Sequence, residues 1–237
     1  MQNWTFKKEI HVRIIELLKS SFRIWKQAPW VFLIIGAVQV LAAILQIYSQ
    51  NSMKNSIAAG LHFWPGYILI VVEYLMVMLT TVSSVSVANI ALRSGGGEKI
   101  TKEQTMAAIG TTLRKPPVQA AIGFLMVLQM LIIFSPLASN SASVSMWINI
   151  SVFLITVLEA FLVQIVAISD STWLEAIRKS PVLLAREWWL LLQLWTVAVI
   201  VVLLSVVTFG ILMFFAAPIY EIALTKITWD DTATNAK

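Results

Sequence analysis

Three glutamates stand inside otherwise apolar runs, and through them this chain could do chemistry. Glu73 follows Trp64 by nine residues, Glu159 follows Trp147 by twelve, and Glu221 follows Gly210 by eleven. At the helical rise of about 1.5 Å per residue, each lies roughly 14–18 Å into its run, near the middle of a ~30 Å hydrocarbon core. The runs that precede them carry amides instead: Gln39 and Gln46, then Gln129, then Gln193. No Lys or Arg is available at that depth. An acidic side chain at the centre of a span costs about 2.5–3.5 kcal/mol on insertion scales. In its neutral form it can donate to a glutamine carbonyl and accept from the amide. Two readings follow. The six residues Glu73, Glu159, Glu221, Gln39, Gln129 and Gln193 are interhelical glue, each bond worth ~0.6 kcal/mol. Alternatively they line a path or pocket for protons, cations or a cationic substrate. Their recurrence at similar depth suits either.

The composition says what kind of element must hold these residues. The chain has 59% hydrophobic and 12% charged residues and a mean hydropathy of +0.83. Soluble domains average about half apolar and a quarter charged. A single integral membrane domain over residues 1–237 is expected, with no sizeable soluble domain beside it. The opening MQNWTFKKEIHVRII lacks a continuous apolar core and a small-residue cleavage site, so no signal peptide is expected. The absence of cysteine excludes disulfides, thiolate metal sites and a cysteine nucleophile.

Six runs are long enough to span: 30–48, 64–91, 117–137, 144–168, and two sharing the block 188–227, divided at Thr208-Phe209-Gly210. Their connectors are unequal. Of seventeen Lys and Arg, all but Lys54 fall in the N-terminal segment, the two connectors after the second and fourth runs, and the tail. By the positive-inside rule both termini are cytoplasmic. Trp30, Trp64, Trp147, Trp188 and Trp189 mark run ends, where an indole keeps its ring apolar and its N–H wet. Trp195 lies deeper.

The basic connectors repeat a pattern. Trp173 to Trp195, WLEAIRKSPVLLAREWWLLLQLW, opens as an amphipathic helix and passes into an apolar run behind Trp188-Trp189. Leu17 to Ile35 has the same layout, with Lys19-Ser20 answering Lys179-Ser180 and Lys26 answering Arg186. Between them, Thr101 and Gln104 stand to Lys115 as Thr172 and Glu175 stand to Arg186, each pair spaced as a capping box. The fold expected is therefore all-α and polytopic: six transmembrane helices as three hairpins, each preceded by a basic amphipathic interfacial helix. The modules are about 5–92, 101–170 and 172–228. Lys19, Arg23, Lys26, Arg114, Lys115, Arg178, Lys179 and Arg186 are solvated insertion signals, or contacts for anionic lipid headgroups worth ~1 kcal/mol each.

No enzyme constellation is present. HExxH, GxSxG and kinase motifs are absent, and SGGGEKIT lacks the spacing of a phosphate loop. His11 and His62 fall on opposite sides of the membrane. The basic residues flank apolar runs rather than building a folded basic surface, which argues against nucleic acid. No cofactor is implied, and the partners expected are membrane lipids and a possible membrane protein.

The pattern A-I-x-K-S-x-x-L-x-x-R-x-W-W, here Ala176 to Trp189, resembles bacterial six-span proteins of the YciC-like group and the membrane domain of some glycerophosphodiester phosphodiesterases. Lys19-Ser20-x-Phe22 and the late Pro218 are similar too. The resemblance implies a six-span fold in the bacterial inner membrane. No phosphodiesterase catalytic domain is present, so that activity does not carry over. The function expected is a non-enzymatic membrane protein, either a small transport component or a membrane accessory factor. The alternative is an interaction, self-protection or envelope-stress protein whose intramembrane polar residues only hold the bundle.

Overall fold

The computed structural model describes residues 2–58, 64–95, 99–138, 142–169, 171–208 and 211–235. These form nine helices with no strand among them: α1 (Gln2–Gln27), α2 (Pro29–Ala58), α3 (Trp64–Arg93), α4 (Lys102–Leu113), α5 (Pro116–Ala138), α6 (Ala142–Leu158), α7 (Leu162–Ile168), α8 (Trp173–Val207) and α9 (Ile211–Asn235). His62, Lys54's side chain, Phe209 and Gly210 of the expected division, and Gly96-Gly97 lie outside what is described.

Local chemistry sets the boundaries. Both expected capping boxes form. Thr101 Oγ1 accepts from the Gln104 amide at 3.2 Å while Gln104 Oε1 accepts from the Thr101 N–H at 2.9 Å. At the start of α8, Thr172 and Glu175 do the same at 3.4 and 3.1 Å. Each box satisfies donors that a helix start leaves without partners. Proline opens α2 and α5, where its missing N–H is harmless. Gly95, at φ 69°, ends α3 in the left-handed region, and its N–H returns to the Leu92 carbonyl at 3.3 Å.

Four helices contain stretches long and apolar enough to cross a membrane: Pro29–Ser49, Ile68–Arg93, Trp173–Ser205 and Ile211–Ala233. Shorter apolar stretches, Pro116–Leu131 and Met146–Ile155, lie in α5 and α6. Large apolar side chains such as Ile34, Ile44, Ile47, Val199, Leu203 and Phe153 are exposed on the outside of the bundle, as lipid-facing residues would be. The chain is compatible with a multi-pass membrane protein.

Two departures from expectation concern continuity. The run 144–168 is not one helix: α6 stops at Leu158, and α7 restarts at Leu162 after a turn at Glu159–Phe161. The third basic segment, by contrast, is continuous with the run behind it. α8 passes through Glu187 without interruption for 35 residues, about 52 Å of rise, so no separate interfacial helix precedes Trp188. The reason is local. Pro29 and Pro116-Pro117 break α1 from α2 and α4 from α5, whereas Arg186-Glu-Trp-Trp189 contains no breaker.

Two short-range facts organise the centre. All seven residues of α7 are buried, packed by α3, α5, α8 and α9. α9 touches α1, α2, α3, α7 and α8. It packs tightly against α2 at Gly36. A Cβ there would overlap the Phe214 carbonyl oxygen and lie 2.8 Å from the carbonyl carbon. Phe214 is four residues before Pro218, which has no N–H to return to that carbonyl.

Candidate functional site

The glutamates come from three different helix contexts. Glu73 is on α3 and is 4% exposed; Glu159 sits in the α6–α7 turn at 6%; Glu221 is partly buried on α9. Glu221 is the one with a complete set of partners. Its Oε1 accepts from Thr81 Oγ1 of α3 at 3.2 Å, and its Oε2 accepts from Gln164 Nε2 of α7 at 3.3 Å. One carboxyl thus joins three helices. The expected partners Gln39, Gln129 and Gln193 form no hydrogen bond with any of the three glutamates. Gln39 Oε1, Gln193 Oε1 and Glu73 Oε2 are buried with no hydrogen-bond partner among the described residues. The amide that does bond, Gln164, shares the fourth apolar run with Glu159, five residues further on.

Glu159 and Glu221 open on one cavity of about 280 Å³ between α3, α5, α7, α8 and α9. Gln129, Gln164, Thr81, Trp195 and Tyr220 also line it, and the rest of the wall is Met, Leu, Val and Ala. Glu73 does not line it. The break between α6 and α7 is what places Glu159 there. The residue ends one helix, and its backbone carbonyl starts the next by accepting from Leu162 N–H at 3.0 Å. Trp195 lies inside the bundle, where its Nε1–H donates to the Tyr220 hydroxyl at 2.8 Å. Glu159 Oε2 and Gln164 Oε1 are buried without a partner among the described residues.

A second cavity, about 360 Å³, lies between α2, α8 and α9. Tyr220 and Glu221 line both. Its remaining wall is apolar apart from Gln39 and includes Leu18 of α1. The neighbouring Leu17 lines a third space, a charged cleft of about 710 Å³ between α1, α8 and α9.

That cleft gathers three of the eight basic residues assigned to lipid contact, Lys19, Arg23 and Arg186. Arg186 is paired with Asp231 and with Glu187 at 3.5 Å, and Arg13 also reaches Glu187 at 3.0 Å. Lys115, half-buried, and Lys179, exposed, make hydrogen bonds within the chain instead. Lys115 Nζ donates to the Ala167 carbonyl at the end of α7, at 3.3 Å, and Lys179 Nζ donates to Ser171 Oγ at 2.8 Å. Lys26 lies 4.8 Å from the centre of the Phe22 ring, while Arg114 and Arg178 are at least partly exposed. The basic residues therefore divide between helix termini, ion pairs and open surface.

Among the described residues, no group of three or more His, Asp or Glu side chains comes together as a metal site. No protein-family model, curated protein or solved structure matches the chain.

Proposed function

We propose that this chain is a non-enzymatic integral membrane protein of the bacterial inner membrane, acting as a small transport component for protons or cationic solutes. In this reading α2, α3, α5, α6–α7, α8 and α9 supply six spans as three hairpins, with both termini cytoplasmic. The packing of α2 on α3, α5 on α6 and α8 on α9 supports it. The placing of Lys and Arg supports the orientation. The resemblance around Ala176–Trp189 supports the location.

One observation carries the transport reading: a carboxyl of the α6–α7 turn and one of α9 line one cavity, and the second also lines the next. Ionisable groups that face an internal space, rather than lipid, are how membrane proteins build ion and proton routes. The test is flux in proteoliposomes of the purified full chain, driven by a pH gradient or a sodium gradient. Saturable movement lost in Glu159→Gln, with thermal stability kept, is the expected result.

A second reading rests on Glu221 alone. Its two hydrogen bonds tie α3, α7 and α9 together, which suits an interaction or accessory protein whose polar core only holds the bundle. Proteoliposomes without flux, combined with loss of stability in Glu221→Leu, would select this scaffold role.

A further inference from the structure

We propose that the cavity between Glu159 and Glu221 is a binding site for a primary alkylammonium ion, its charged head among the carboxyls and its apolar chain against the aliphatic wall. This names the solute class of the transport reading and rests on that reading for its site.

The argument is an inventory of donors and acceptors. Two acceptors on residues that line the cavity have no partner among the described residues, Glu159 Oε2 and Gln164 Oε1. Their side chains are more than nine-tenths buried, at 6% and 2% residue exposure. A buried acceptor without a partner carries a desolvation penalty, so such atoms mark a missing donor. The Thr81 hydroxyl and the Gln164 amide already donate to Glu221, and the Trp195 N–H donates to Tyr220. The Gln129 amide and the Tyr220 O–H also line the space, but neither donates to the two orphan acceptors. No described Lys, Arg or His lines the space. With both carboxyls ionised, a ligand that brings N–H donors and positive charge completes the set.

The wall decides which cation. A volume of about 280 Å³ is several times the share of one water molecule, about 30 Å³. Glu159, Glu221 and the nearby amides and hydroxyls could serve any cation, but Met78, Leu125, Val163 and Leu224 make the rest of the wall aliphatic, which a bare metal ion does not use. A hard cation such as sodium or magnesium asks for a shell of oxygens. An ammonium asks for three acceptors, and Glu159, Gln164 and Glu221 all belong to the residues lining the cavity, while its carbon chain replaces water beside the aliphatic ones. Trp195, whose ring is of the kind that attracts cations, lines the cavity too.

Calorimetric titration of the purified full chain in detergent micelles tests this with three probes of equal chain length. These are n-hexylammonium, its N,N,N-trimethyl analogue and n-hexanol, each corrected by titration into empty micelles. Saturable binding of hexylammonium is expected, at least tenfold tighter than either analogue, because the first analogue lacks N–H donors and the second lacks charge. Glu159→Gln should weaken it at least tenfold. Equal binding of all three, or none, overturns the assignment, and that comparison needs no variant. Glu159-dependent proton or sodium flux without amine binding overturns the amine site and leaves the transport reading intact. Amine binding that depends on Glu159, with no flux of any ion or amine, supports the site and removes the transport reading.

Discussion

The Ser180 hydroxyl accepts from the Phe161 amide at 3.2 Å and donates to the Leu158 carbonyl at 2.8 Å, so one side chain of α8 closes the break between α6 and α7. Ser180 is fully buried. Removing it strands a donor and an acceptor in an apolar interior, at about 1–3 kcal/mol. Thermal denaturation of Ser180→Ala should show that loss, together with weakened Glu159-dependent function, because the same turn carries Glu159. Ser20, which answers Ser180 in the repeat, bonds only to the Leu17 carbonyl of its own helix among the described residues. Ser20→Ala should stay within about 0.5 kcal/mol of the parent. Equal losses in the two variants would mean that Ser180 does not hold the break.

The same hydroxyl shows what is legible in the sequence and what is not. The K-S pair is visible as a repeated motif, and the buried glutamates stand out because charge is rare in apolar runs. Helix class, the division at 208–210 and both capping boxes follow from periodicity, composition and spacing. The partners do not follow. Gln164 and Thr81 are hidden because a hydrogen bond between helices depends on rotation about each helix axis, which apolar runs without a polar face do not reveal. The break at Glu159–Phe161 carries no proline or glycine, so it has no local signal. What satisfies the break is tertiary, the hydrogen bonds of Ser180 with the Phe161 N–H and the Leu158 carbonyl. The unbroken α8 departs from expectation for the complementary reason: a repeat in sequence suggests a bend, but the third copy's proline, Pro181, stands inside the helix well before Glu187 and not at the junction with the apolar run.

Gly36 is the second place where one atom decides packing. A methyl group there meets the Phe214 backbone rather than the end of a side chain, so α2 and α9 must separate. Gly36→Ala should lower stability by about 1–3 kcal/mol, the range for overpacking a close contact. Gly123, on α5, has open space where a methyl group would stand, with nothing within 4 Å, and Gly123→Ala should be neutral or slightly stabilising. Paired thermal melts check this. A neutral Gly36→Ala would show that the α2–α9 contact is loose.

Topology can be read chemically because the chain has no cysteine of its own. Single cysteines at Ser52 and Asn140 should react with an impermeant maleimide added to intact cells, and one at Ser94 should react only after lysis. That follows from the concentration of Lys and Arg on the side of Ser94. Labelling of Ser94 in intact cells, with protection of Ser52, would reverse the orientation.

The two cavity carboxyls should respond to mutation in opposite directions. Glu221 has partners on two other helices, so Glu221→Leu leaves the Thr81 hydroxyl and the Gln164 amide without their acceptor. A loss of about 1–3 kcal/mol is expected. Glu221→Gln keeps an acceptor for Thr81 and can pair with a reoriented Gln164, so it should stay within about 1 kcal/mol of the parent. Glu159 has a buried oxygen with no partner among the described residues, and its replacement removes a penalty instead of a bond. Glu159→Leu should therefore match or exceed the parent in thermal stability while losing flux. Binding sites hold such groups in unfavourable surroundings because a ligand completes them, and the stability gained on removal is matched by lost function. A fall in stability for Glu159→Leu as large as that for Glu221→Leu would place both carboxyls in the scaffold and leave the cavity without a binding role.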